Sequence, residues 1–169
     1  TIAENTTEAG ANGMGGGGGL FNAAAGNLII QTSTISTNLA HLGEGGGLFN
    51  AGTTTLNHVT IAENTATLTG GGIYNLPGAS PHSVSLSLSI PGVKNSSGGD
   101  LPRGGFPSGG ENVIGIIDLS QTSISNSASD LIGSSTSPLD PLLGPLANNG
   151  GITRTHQLLV GSPAIDNRS

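Results

Sequence analysis

Two short phrases recur along this chain in step with one another, and a shared period restricts the folds open to it more than any other feature. Gly17-Gly18-Gly19-Leu20-Phe21-Asn22 returns as Gly45-Gly46-Gly47-Leu48-Phe49-Asn50 and again as Gly70-Gly71-Gly72-Ile73-Tyr74-Asn75. The step from Gly17 to Gly45 is 28 residues and the step from Gly45 to Gly70 is 25. Thr1-Ile2-Ala3-Glu4-Asn5 returns as Thr34-Ile35-Ser36-Thr37-Asn38 and as Thr60-Ile61-Ala62-Glu63-Asn64, and a decayed copy stands at Ser123-Ile124-Ser125-Asn126. Two phrases on one period describe one structural unit used several times.

Each unit carries short runs rich in Thr, Ile, Val and Leu, such as Thr53-Thr54-Thr55-Leu56 and Val59-Thr60-Ile61, bounded by Gly or Asn. Such runs read as strand. No unit has a glycine-free apolar stretch long enough for a pair of helices, which excludes the helical solenoids. The expected fold is all-β, a single-stranded parallel β-helix whose solenoid has roughly six coils about 4.8 Å apart. Residues 1–90 are expected to form regular repeats and residues 91–111, rich in Pro and Gly, a long loop excursion. Residues 112–169 are expected to form degenerate final coils and a C-terminal tail of the same domain.

Strand alternation sends every second side chain inward, so Val59 and Ile61, with Ile35 in the preceding coil, should stack as aliphatic ladders. Gly47 and Gly72, within the glycine triplets, suit corners that need positive φ or close approach to the neighbouring coil. Asn5, Asn38 and Asn64 suit turns and can hydrogen-bond along the axis. Phe21, Phe49 and Tyr74 hold equivalent positions and should form one stack, read here as core or corner packing. The spacing from Asn5 to Gly17, Asn38 to Gly45 and Asn64 to Gly70 varies, which marks a surface loop on one rim.

Composition narrows function. Only 4 Lys and Arg stand against 10 Asp and Glu, for a net charge of −6, so the basic face that neutralises phosphates cannot be assembled and a nucleic-acid partner is excluded. No apolar run approaches the ~18 residues of a membrane-spanning helix. There is no cysteine, which excludes a disulfide scaffold and a thiolate zinc site. The N-terminus shows neither a basic region nor an apolar one, so a signal peptide is expected to be absent or removed.

The tail adds a resemblance. Asp140-Pro141-Leu142-Leu143-Gly144-Pro145-Leu146-Ala147-Asn148-Asn149-Gly150-Gly151, followed by Thr155-His156-Gln157-Leu158-Leu159-Val160-Gly161-Ser162-Pro163-Ala164-Ile165-Asp166, resembles the C-terminal signature of choice-of-anchor Q domain proteins. The repeat phrases are similar to theirs and, in turn, to polymorphic outer-membrane protein repeats. The resemblance implies a right-handed parallel β-helix in a bacterial protein that is secreted or displayed at the cell surface, with no catalytic residues to carry over. Such proteins usually continue toward a sorting anchor, so the chain is expected to be a fragment or processed piece.

Many β-helices act on polysaccharides. The one basic-acidic cluster is Lys94, Asp100 and Arg103, on the expected excursion, where a solvated loop tip is the preferred reading. Asp118, Asp130 and Asp140 lack metal-loop spacing, so no cofactor is expected, with calcium on Asp side chains and turn carbonyls as the alternative. His41, His58, His82 and His156 lie far apart, against a transition-metal site. The expected function is a non-enzymatic stalk or adhesin-like module that meets host or cell-surface glycans or proteins. One alternative is a polysaccharide-binding or polysaccharide-degrading β-helix in which Lys94, Asp100 and Arg103 contact the ligand. Another is a filament subunit that self-associates end to end through open strand edges.

Overall fold

The structure, a computed structural model, describes residues 1–8, 15–77, 83–87, 89–93, 104–117, 122–125 and 128–165. These residues are all-β, with no helix among them. The first repeats supply β1 (Ile2–Ala3), β2 (Thr6–Thr7), β3 (Gly15–Gly16), β4 (Leu20–Asn22), β5 (Asn27–Ser36), β6 (Leu39–Ala40) and β7 (Gly43–Glu44). They are followed by β8 (Leu48–Asn50), β9 (Thr53–Ala62), β10 (Thr65–Ala66), β11 (Ile73–Asn75), β12 (Ser83–Ser87) and β13 (Ile90–Val93). The second half holds β14 (Gly104–Pro107), β15 (Val113–Ile117), β16 (Thr122–Ser125), β17 (Leu131–Ser134), β18 (Leu143–Ala147) and β19 (Thr155–Leu158).

The repeat becomes pairing. One parallel sheet runs β1-β5-β9-β12, with β13 also on β9; a second runs β2-β6-β10, a third β4-β8-β11, and β3 pairs β7. The first three repeats thus each add one strand, in the same direction, to three of these sheets, and we call the strands of one repeat a layer. Register keeps like residues in line: Ile2 opposes Ile35 and Ile35 opposes Ile61. Leu20, Leu48 and Ile73 form a second row, and Ile30, Leu56 and Leu86 a third. Ile35, Leu48, Leu56, Ile61 and Ile73 are wholly buried in one cluster that also takes in Val84, Phe106, Ile114 and Ile117. Branched side chains at the same inward position of adjacent strands fill this narrow interior at about 1.5–3 kcal/mol of burial each.

Glycine sets how closely the layers approach. Gly17, Gly45 and Gly70 open the three triplets at φ of 72°, 68° and 72°, a region that only Gly enters without steric cost. The next residue is crowded for a different reason. A Cβ on Gly46 would sit 2.5 Å from the carbonyl oxygens of both Gly71 and Thr65, which belong to the next layer.

Of the stretch 91–111, expected to be a long loop excursion, only the two ends are described. Residues 94–103 lie outside the described residues, but the flanks are strands: β13 pairs β9, and β14 pairs β16 with Phe106 buried. Pro91 is tolerated opposite Ile61 because the register shifts between Pro91 and Val93, and such an irregularity relieves the missing ladder donor. Beyond it, β14 with β16 and β15 with β17 continue parallel pairing. The tail then departs from strand stacking, since β18 and β19 form an antiparallel pair.

Three substitutions test this packing by urea unfolding. Ile61→Asp should cost at least about 3 kcal/mol, because it buries a carboxylate in the row, whereas Glu63→Ala should change stability by less than about 0.5 kcal/mol. Gly46→Ala should cost about 1–3 kcal/mol, the range of an overpacked interior.

Candidate functional site

Among the described residues, polar side chains held between layers form three columns. In the first, the side-chain oxygen of each asparagine takes two bonds from the asparagine before it. Asn5 donates its backbone N–H and Nδ2 to Asn38 Oδ1 at 3.1 and 2.9 Å, and Asn38 donates the same pair to Asn64 Oδ1 at 3.0 and 2.9 Å. Asn38 Nδ2 also reaches Ile2 O, and Asn64 Nδ2 reaches Ile35 O. The residue before each asparagine is left-handed, with φ of 62° at Glu4, 56° at Thr37 and 57° at Glu63. Non-glycine residues there cost about 1–2 kcal/mol apiece, and the corner they make is what aims the amide along the stack.

The second column, Asn22, Asn50 and Asn75, closes the Gly-Gly-Gly phrase. Asn22 Nδ2 donates to Asn50 Oδ1 and Asn50 Nδ2 to Asn75 Oδ1, both at 2.8 Å. Asn50 is fully buried; its oxygen also accepts from Thr54 Oγ1 and Gly52 N, and its nitrogen donates to Gly52 O. A third column serves the later layers. Val59 N–H donates to Ser89 Oγ, Ser89 N–H to Asn112 Oδ1, and Asn112 N–H and Nδ2 to Asp130 Oδ1, the last three bonds at 3.0 Å each. Ser108 Oγ donates to the other oxygen of Asp130.

Neither of these two columns was anticipated. Their signals were present: the second is the last residue of the most conspicuous phrase, and Glu111-Asn112 repeats the pair seen in Glu4-Asn5 and Glu63-Asn64, again with the glutamate at positive φ. The decayed copy at 123–126 falls on β16 for its first three residues, and Asn126 lies outside the described residues.

The structure brings Ile35 and Ile61 together in the core, Asn38 and Asn64 in the first column, and Gly47 against Gly72, whose oxygen accepts from Gly47 N at 3.0 Å. A Cβ on Gly47 would lie 2.6 Å from that oxygen. Phe21 and Phe49 stack with ring centroids 5.1 Å apart, and Phe49 and Tyr74 follow at 5.3 Å. Tyr74 is buried while Phe21 is 59% exposed, so the stack opens at the first layer. Lys94, Asp100 and Arg103 lie outside the described residues, as do Asp118 and His82. Among the described residues no group of three His, Asp or Glu side chains is placed to hold a metal ion.

Outside the columns, the antiparallel hairpin touches the sheet. Arg154 Nη1 lies 2.8 Å from Glu4 Oε1, and His156 spans Ser36 Oγ at 2.8 Å and Gly144 O at 2.7 Å. The Arg154 guanidinium, by hydrogen bond and charge, holds the Glu4 carboxyl below the usual carboxylate range. This tie is therefore complete above that range and is lost as pH falls through the lowered value. Both partners are solvated, which keeps the pair weak.

No protein-family model, no curated protein and no solved structure matches this chain.

The second column predicts the sharpest mutational contrast. Asn50→Ala removes the acceptor of Thr54 Oγ1 and Gly52 N–H and the donor to Gly52 O and Asn75 Oδ1, and should cost about 2–4 kcal/mol in urea unfolding. Asn50→Asp, though isosteric, should cost at least as much, since it sets a carboxylate oxygen against Gly52 O and Asn75 Oδ1.

Proposed function

We propose that this chain is a right-handed parallel β-helix segment serving as a non-enzymatic module, a stalk or adhesin-like piece of a protein secreted or displayed at a bacterial surface. The observation that carries the reading is where the buried polar groups point. Asn5, Asn38 and Asn64 and Asn22, Asn50 and Asn75 direct their amides along the stack at one another. That arrangement engages the amides with one another and transmits register from one layer to the next. The exposed positions of the broad sheet, such as Asn27, Gln31 and Thr55, are uncharged and hydrated. Uncharged rows also avoid the repulsion that like charges would meet at about 4.8 Å from layer to layer. Glycans or proteins of a cell surface are the partners such a face would meet.

Incubation of the intact chain with a panel of anionic and neutral glycans tests the reading. No glycosidic bond should be cleaved. Cleavage that disappears in Arg103→Ala would replace the stalk with a polysaccharide-degrading enzyme acting through Lys94, Asp100 and Arg103.

A further inference from the structure

The hairpin β18–β19 does something the repeats do not, because it crosses them. Alternate residues of β19 and the residue preceding it step from layer to layer. Leu158, paired with Leu143 of β18, packs against a cluster of Ala62 and Leu143 that Ile90 also joins. Two residues back, His156 contacts Ser36, and two further back Arg154 contacts Glu4, while its carbonyl accepts from Thr1 Oγ1 at 2.6 Å. Ala62 opposes Ser36 and Ser36 opposes Ala3 in the sheet register, so these contacts descend from the third and fourth layers to the second and then the first.

Burial shows what the hairpin covers. Ile35 and Ile61 point into the core, so alternation turns Ser36 and Ala62 outward, where a sheet meets water. Both are nevertheless buried, Ser36 at 0% and Ala62 at 1% exposure. Their small side chains leave room for the hairpin to lie against the sheet, and His156 is fixed from both sides, by Gly144 O within the hairpin and Ser36 Oγ beneath it.

We propose that β18–β19 is a clasp that ties the first layer to the fourth, so that the N-terminal layers open together with it instead of fraying singly. Stacks of repeats ordinarily hold each layer through its neighbours alone. Among the described residues the first layer is lightly held by pairing, since β1 and β2 contribute two residues each to their ladders with β5 and β6. The clasp supplies contacts to that layer from about 150 residues away in the chain. Its two ends differ: the Leu143–Leu158 end is apolar and anchored, and the Arg154–Glu4 end is solvated, so opening starts at Arg154.

Amide hydrogen exchange on the intact chain tests this. The Leu39 and His41 amides donate across the first and second layers, to Asn5 O and Thr7 O, and the Thr65 amide donates across the second and third, to Asn38 O. Leu158→Asp should speed exchange at Leu39 and His41 at least about tenfold relative to Thr65. Glu4→Arg or Arg154→Glu alone should speed Leu39 and His41 several-fold, and the double reversal should restore the original rates. Unchanged rates at Leu39 and His41 in both single reversals would overturn the clasp, as would a double reversal that exchanges no more slowly than the singles. The reversals lie on solvated side chains, so they decide the matter even if Leu158→Asp unfolds the chain.

Discussion

A primary amide can donate and accept at once, and stacked parallel strands need a group of that kind wherever the chain turns a corner inside. Backbone N–H and C=O groups at a corner fall out of the sheet ladders, and leaving them unpaired in the interior costs about 1–3 kcal/mol each. Asn38 resolves this locally: its oxygen accepts the Asn5 backbone N–H, and its nitrogen reaches the Ile2 carbonyl. The next layer repeats the solution with Asn64 and Ile35. Because each amide satisfies the layer beside it, the columns fix register as well as stability, and the aliphatic rows of Ile35, Ile61, Leu48 and Ile73 follow from it.

Close approach and corner geometry are divided between residue types. The glycine triplets let one layer's backbone lie against the next, as Gly46 does against Gly71. The corners before the asparagines use Glu4, Thr37 and Glu63 in the left-handed region, where glycine would be less strained. Strain of that kind persists where surroundings over-determine it, and here the hydrogen bonds of the following asparagine do so. Later layers shift the device to another corner, with Glu111 left-handed and Asn112 bonded to Asp130.

What could be read from residues alone follows from distance in the chain. The strand class, the inward facing of Ile35 and Ile61 and the stacking of Phe21, Phe49 and Tyr74 all rest on alternation and period, which are local properties. The second asparagine column is harder to read, because the three glycines of its phrase already account for a corner and Asn50 stands only as the phrase's last residue. Phe106 is hidden by its neighbours: Gly and Pro on both sides suggest a loop, whereas β14 pairs in parallel with β16 and Phe106 is buried. The hairpin could not be anticipated from spacing, since its contacts join Arg154 to Glu4 and His156 to Ser36, and no periodicity links those positions.

The central claim is that buried amides bind the layers to one another, and solution nuclear magnetic resonance of the asparagine side chains measures it most directly. The Asn50 Nδ2 protons should show nuclear Overhauser contacts to both Asn22 and Asn75, and should exchange with solvent far more slowly than those of exposed Asn149. An Asn50 amide that exchanges as fast as Asn149, or that shows contact to neither Asn22 nor Asn75, would contradict the account.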